Sequence, residues 1–236
     1  MTLAEHIQAV QARIAAAAEK AGRDPSEVTL VAATKVQTSE TIRAAIAAGI
    51  TVCGENRAQE FTQHWQDGAY EGAKVHFIGH LQKNKLKYLV GKVDMIESVD
   101  SEELIRLIDK RAQNLGIVQN ILIEVNIGGE ASKSGVKPEE VEALVALAAS
   151  LPGVEPRGLM AIPPVAHEPG ANRAVFAAMR QLFIDIKGKT YNNKVNIDCL
   201  SMGMSGDFED AIAEGATQVR VGTALFGARP ANRVNG

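Results

Sequence analysis

Eight times along this chain a short, mostly β-branched apolar run gives way to a stretch whose apolar positions recur three and four apart. That alternation restricts the fold more than any other feature. The runs are Val28–Lys35, Thr51–Cys53, Val75–Gly79, Asp94–Ser98, Ile121–Asn126, Gly158–Ile162, Ile197–Ser201 and Gln218–Gly222. Turn and helix-start residues bound them, such as Asp24-Pro25-Ser26 and Thr38-Ser39 around the first and Pro163-Pro164 after the sixth. Strands joined through helices run parallel, and eight such units in 236 residues predict an α/β fold in which the sheet closes into a TIM-type (β/α)8 barrel. An open, doubly wound sheet is the competing architecture. Residues 3 to 21 place Leu3, Ile7, Val10 and Ile14 on one face before Gly22, which predicts an extra amino-terminal helix. No linker or composition shift divides the chain, so residues 1–236 are expected to form a single domain.

Composition narrows the function. The chain is 46% hydrophobic and 22% charged, enough to bury a core of its own. Its formal net charge of -3, with basic residues scattered among acids, argues against nucleic acid or an acidic membrane as partner. Cys53 and Cys199 lie far apart in apolar segments without zinc spacing and are expected to be reduced, buried thiols. The amino terminus lacks a basic region followed by an apolar core, and no stretch is long and apolar enough to span a bilayer, so a cytoplasmic location is expected. With a full helix layer and no evident apolar patch, the chain is expected to be a monomer.

A parallel barrel gathers functional groups where strands end. Here those ends supply Lys35, Gly54-Glu55-Asn56, Gly79-His80, Asn126, Met160 with Pro163, Ser201-Met202-Gly203-Met204-Ser205 and Gly222-Thr223. Lys35 closes the first run, either as a solvated charge or as an amine that holds an aldehyde cofactor. The hydroxyls and glycines after the seventh and eighth strands read either as a phosphate cradle or as plain turn residues. Phosphate sites recur at that place in barrels of this kind, so this applies a known tendency. Arg220 sits between Val219 and Val221, and if those face the helices, the strand period of two turns the guanidinium into the barrel. There it needs a carboxylate from a neighbouring strand or a polar atom of a ligand. His76 and His80 show no metal-ligand spacing, and Lys133 and Ser205 have no assigned role.

Several segments are more specific together than apart: Val31-Ala32-Ala33-Thr34-Lys35, Gly54-Glu55-Asn56-Arg57-Ala58-Gln59-Glu60, His76-Phe77-Ile78-Gly79-His80-Leu81-Gln82-Lys83-Asn84-Lys85 and Ser132-Lys133-Ser134-Gly135. Gly158-Leu159-Met160-Ala161-Ile162-Pro163, Leu200-Ser201-Met202-Gly203-Met204-Ser205 and Val219 to Gly227 complete the set. In this order, across nearly the whole chain, they resemble the pyridoxal phosphate homeostasis protein family. The resemblance implies a barrel similar to the amino-terminal domain of alanine racemases, with pyridoxal 5'-phosphate joined to Lys35 as a Schiff base. It also implies that Asn56 lies beside the cofactor, that Ser201, Gly222 and Thr223 bind its phosphate, and that Arg220 faces the pyridine nitrogen. Two positions depart from the usual pattern: Thr34 stands where many relatives carry serine, and Gln37 replaces a frequent second lysine.

An arginine keeps its proton, so Arg220 facing the ring nitrogen would leave that nitrogen unprotonated and the cofactor a poorer electron sink. The related racemases also use a tyrosine from an added carboxyl-terminal domain, whereas this sequence ends at Gly236, and none of Tyr70, Tyr88 and Tyr191 falls at a strand end. The expectation is therefore a protein that buffers or transfers pyridoxal phosphate, with apo forms of enzymes that use the cofactor as partners. A weak fold-type-III amino-acid racemase is the alternative. A Schiff-base aldolase without cofactor fits poorly with phosphate loops beside Arg220.

Overall fold

A computed structural model describes residues 1–130, 134–164, 168, 170–189 and 195–227. Eight parallel strands close into a barrel in sequence order: β1 (Thr29–Ala33), β2 (Val52–Glu55), β3 (Lys74–Phe77), β4 (Met95–Val99), β5 (Gln119–Val125), β6 (Val154–Ala161), β7 (Cys199–Ser201) and β8 (Gln218–Val221). β8 returns to pair with β1 along the register Thr29 with Gln218 to Ala32 with Val221, so the open-sheet alternative does not apply. The amino-terminal helix α1 (Leu3–Lys20) starts at Thr2, whose hydroxyl takes the amide of Glu5 while Glu5 reaches back to the amide of Thr2. Its buried face is Ile7, Val10, Ile14 and Ala18.

The remaining helices form the outer layer: α2 (Ser39–Ala47), α3 (Ala58–Gln66), α4 (Leu86–Leu89), α5 (Glu102–Leu115), α6 (Val141–Ser150), α7 (Arg173–Lys187), α8 (Phe208–Ala213) and α9 (Thr223–Phe226). Thr38 caps α2 and Ser101 caps α5, each accepting an amide three residues on. The main apolar core lies between strands and helices, where Ile121, Ile123, Leu159, Val219 and Val221 meet Ile7, Phe61, Ile105, Phe176 and Phe208. Inside the barrel the apolar cluster is small, Met95, Leu122 and Met160 with Cys199 against it. The rest of the interior is left to polar side chains. Neither cysteine is paired; Cys53 is buried and Cys199 half-buried, and burial raises the pKa of both, to about 12 for Cys53. Among the described residues no helix is long and apolar enough to cross a membrane.

The lysine-rich segment after β3 is a 3-10 turn, Lys83–Lys85, that runs into the single turn of α4. One element differs from expectation. β6 begins at Val154, four residues before the predicted start, because the register slips between Pro156 and Gly158: Ile121 opposes Pro156 and Leu122 opposes Gly158. Arg157 is thus an extra residue in a bulge, which is how the strand accommodates a proline. Gly158 is required at that bend, since its φ is +149° and an added Cβ would sit 1.8 Å from the carbonyl oxygen of Cys199. Gly158→Ala is expected to lower stability by about 3 kcal/mol or more in urea denaturation. Gly206→Ala, with open space around the new methyl, is expected to change it by less than about 0.5 kcal/mol.

Candidate functional site

Lys35 leaves the carboxyl end of β1 half-buried, in a turn closed by the Gln37 amide bonding the Thr34 carbonyl at 3.0 Å. Thr34 fixes the base of that turn. Its amide bonds the Gly54 carbonyl at 2.9 Å, and its hydroxyl donates to Glu55 Oε1 at 2.6 Å. Glu55 is fully buried, and Oε1 also takes the Tyr70 hydroxyl at 2.8 Å and lies 3.1 Å from His64 Nδ1. The hydrogen bond with Glu55 raises the His64 pKa, and burial raises that of Tyr70, so the phenol stays a donor. Val36, directly after the lysine, has φ 61°. For a β-branched residue this is a strained conformation costing on the order of 1–3 kcal/mol, and the Val36 amide is held by Glu60 Oε2 at 3.1 Å.

Because β1 lies between β8 and β2, the loops after those strands flank Lys35. Asn56 follows β2, and its Oδ1 is buried without a hydrogen-bond partner. An orphan acceptor of this kind is uncommon and marks a place where a ligand can donate. Gly79 crosses over Asn56 so closely that an added Cβ would lie 2.1 Å from its carbonyl oxygen. On the other side, Gly222 packs against Ala33, and Thr223 opens α9 as an exposed residue. Ser205 Oγ accepts the amides of Gly222 at 3.1 Å and Ala224 at 3.3 Å, which places that hydroxyl among amides able to hold an anion.

Arg220 points into the barrel, as the alternation of Val219 and Val221 implies, and is 5% exposed. Its Nη1 donates to Ser201 Oγ at 2.6 Å and its Nη2 to the Ala161 carbonyl at 2.8 Å. Ser201, expected in a phosphate cradle, has a fully buried side chain bonded to Arg220, Gln218 and Glu97, while the hydroxyl of Ser205 stands in the loop. Glu124, at the end of β5, is also buried. Burial pushes its carboxyl up to about 7, aided by Asp100 and opposed by Arg220, and its Oε2 has no partner. Burial lowers the Arg220 pKa against the pull of Glu97 and Glu124, and the guanidinium remains a cation.

Of the expected residues, Lys35, Asn56, Gly222 and Thr223 thus stand on three adjacent strand ends, with Arg220 beneath them in β8. Glu55 stands among the expected strand ends without an assigned role, whereas Glu97 and Glu124 are not singled out by the sequence reading, although each is an acid inside an apolar run to which the period of two around Arg220 applies equally. His80 Nδ1 lies 3.4 Å from Ser134 Oγ, while Lys133 and Tyr191 lie outside the described residues. Among the described residues no cluster of His, Cys, Asp and Glu could hold a metal ion. The donor set fits an aldehyde bearing a phosphate and a ring: an amine, a partnerless acceptor, a loop of amides and hydroxyls, and a buried cation.

Fold and site together define a class, the parallel barrel with a lysine at the end of its first strand, and the family described as alanine racemase, N-terminal domain, matches residues 6–230. The curated pyridoxal phosphate homeostasis protein of Aquifex aeolicus is 45% identical over 97% of this chain and 99% of its own length. That of Pseudomonas aeruginosa is 44% identical over 97% and 96%. The chain belongs to the family of pyridoxal phosphate homeostasis proteins. Among solved structures, PipY of Synechococcus elongatus with PLP bound has a TM-score of 0.82 at 32% identity, covering 96% of this chain and all of that one. An alanine racemase of Clostridium difficile shares the fold, at a TM-score of 0.72 and 15% identity, with this chain covering 58% of it.

Two outcomes test this geometry. Glu124 has a folded-state pKa near 7 against an ordinary 4.5, so the folded protein binds the extra proton between those values and stability falls as pH rises through that window. Glu124→Gln is expected to remove that fall, gaining on the order of 3 kcal/mol over the parent at pH 8 and little at pH 4.5, by chemical denaturation across that range. Gly79→Ala is expected to push Asn56 out of place and weaken cofactor binding about tenfold or more, read by fluorescence titration.

Proposed function

We propose that this chain is a pyridoxal 5'-phosphate-binding protein that holds the cofactor on Lys35 and serves its homeostasis by buffering or transfer. The observation that carries the reading is the convergence of Lys35, the partnerless Asn56 Oδ1 and the Gly222–Thr223 loop on adjacent strand ends above the buried Arg220. In this reading the Lys35 amine would hold the aldehyde as a Schiff base, with loss of one water. Asn56 would accept a hydrogen bond from the cofactor, Gly222, Thr223 and Ser205 would hold its phosphate, and Arg220 would donate to its pyridine nitrogen. The name of the curated relatives and the PLP-bound state of PipY support the same ligand.

When bound, the cofactor supplies an electron sink for amino-group chemistry. A permanent cation donating to the ring nitrogen keeps a proton off it and weakens that sink. Racemisation further needs an acid-base group on the opposite face. Tyr70 is buried against Glu55 and Tyr88 lies in α4, so neither stands at the strand ends. We therefore read the chain as a binding protein and not an enzyme. As part of the same proposal, residues 1–236 act as one domain, a cytoplasmic monomer that passes cofactor to apo forms of enzymes that use it.

The purified protein incubated with pyridoxal phosphate is expected to show an absorption band at the edge of the visible that borohydride bleaches. Lys35→Ala is expected to lose the band while melting as a folded protein. Absence of the band in the parent overturns the reading. Steady racemisation of amino acids proportional to protein, abolished in Lys35→Ala, would favour the racemase alternative.

A further inference from the structure

A chain of buried hydrogen bonds runs along the barrel axis beneath the site, and its bonding pattern leaves little choice of direction. Ser201 Oγ has one hydrogen and two lone pairs. Arg220 Nη1 at 2.6 Å and Gln218 Nε2 at 3.0 Å can only donate to it, so both lone pairs are used. The hydroxyl hydrogen must then go to Glu97 Oε2 at 2.6 Å. Glu97 Oε1 accepts from Gln218 Nε2 at 2.6 Å and faces His76 Nδ1 at 2.7 Å. Glu97 is fully buried on β4 and accepts from Ser201 on one oxygen and from Gln218 on the other. Burial alone would push its pKa up, yet the His76 bond, the charges of His76 and Arg220 and the Ser201 hydroxyl hold it below its usual value. The far end of the chain opens to the opposite face of the barrel, where His76 and Gln218 line a cavity of about 500 Å³.

We propose that Glu97, acting through the Ser201 hydroxyl, is the positioning residue that holds Arg220 against the cofactor ring, so that Ser201 serves the ring nitrogen and not the phosphate. The inference rests on the cofactor reading above. Arg220 would otherwise have two directions to turn. Besides Glu97, the titratable groups that face it are Glu124 on β5, the neutral thiol of Cys199 on β7 and Asp207 just before α8. Its other side-chain hydrogen bond among the described residues, to the Ala161 carbonyl, is to a neutral acceptor. Without the chain to Glu97, the guanidinium gains by swinging toward Glu124, whose Oε2 has no partner. Its hold on the ring nitrogen then fails, and the nitrogen becomes able to take up a proton.

The test uses holo protein: parent, Glu97→Gln, Ser201→Ala, Arg220→Gln and the double variant Glu97→Gln/Arg220→Gln, each loaded with pyridoxal phosphate. Absorption spectra are recorded from pH 6 to 9, with circular dichroism as a folding check. Glu97→Gln, Ser201→Ala and Arg220→Gln are expected to show a common new spectral transition, displaced by about one pH unit or more from the parent. The double variant should match Arg220→Gln alone, because both changes remove the same contact. Parent-like spectra in folded Glu97→Gln and Ser201→Ala, or a double variant whose shift is the sum of the singles, overturn the proposal. If Glu97→Gln does not fold, Ser201→Ala decides alone, since it leaves Glu97 bonded to His76 and Gln218. Loss of phosphate affinity in Ser201→Ala with an unchanged pH profile would return Ser201 to the phosphate. A parent with no band at all would instead reject the cofactor reading itself.

Discussion

Closure of β8 onto β1 is the constraint on which the rest of this molecule depends. Four consecutive residue pairs make that seam, from Thr29 with Gln218 to Ala32 with Val221, and it removes the free edges an open sheet would leave. It also decides what stands beside Lys35. In an open sheet β1 and β8 would be separated, and the lysine could not share a site with Arg220 or with the loop that follows β8. Within the closed barrel Val31 opposes Arg220 directly, so the strand that delivers the amine and the strand that carries the cation are neighbours by hydrogen bonding.

The placement of the apolar core makes such a polar interior affordable. Ile, Val and Phe side chains fill the layer between strands and helices, while the apolar cluster inside the strands is small, Met95, Leu122 and Met160. Since the outer layer supplies the main apolar burial, the axis can hold His76, Glu97, Glu124, Ser201, Gln218 and Arg220. Buried charges contribute little net stability, because desolvation offsets their attraction. Removing one partner of such a pair, however, costs about 3–5 kcal/mol. The interior network is thus better explained by the geometry it imposes on Arg220 than by stabilisation of the barrel.

How far the sequence could be read followed from which periodicities survive in it. Eight apolar runs with capped helices between them specify the barrel, and the period of two around Arg220 specifies an inward guanidinium. The start of β6 escaped that reading because Pro156 looks like a breaker until a bulge at Arg157 is allowed. Ser201 and Ser205 are both serines after an apolar run, and nothing local distinguishes them. What separates them is strand length: β7 includes Ser201 as its last residue and turns it inward against Met160 and Gln218, so Ser205 is left for the loop. The Glu55 cluster was hidden for a different reason, since it joins Thr34, His64 and Tyr70 from three segments with no common spacing.

Those two buried carboxylates divide the work of the site. Glu55 lies between the barrel and α3, and with Thr34 it fixes the turn that presents Lys35. Glu97 lies inside the barrel and, through Ser201, fixes Arg220. The two networks share no residue among the described hydrogen bonds, so the hold on the amine and the hold on the ring contact are mechanically separate. Changes in one are therefore expected to add to changes in the other, in contrast to pairs drawn from a single network. The division suits a protein that must bind and release. The lysine rides on a turn whose next residue, Val36, is kept in a strained backbone conformation by Glu60, whereas Arg220 is buried and held by Ser201 and the Ala161 carbonyl.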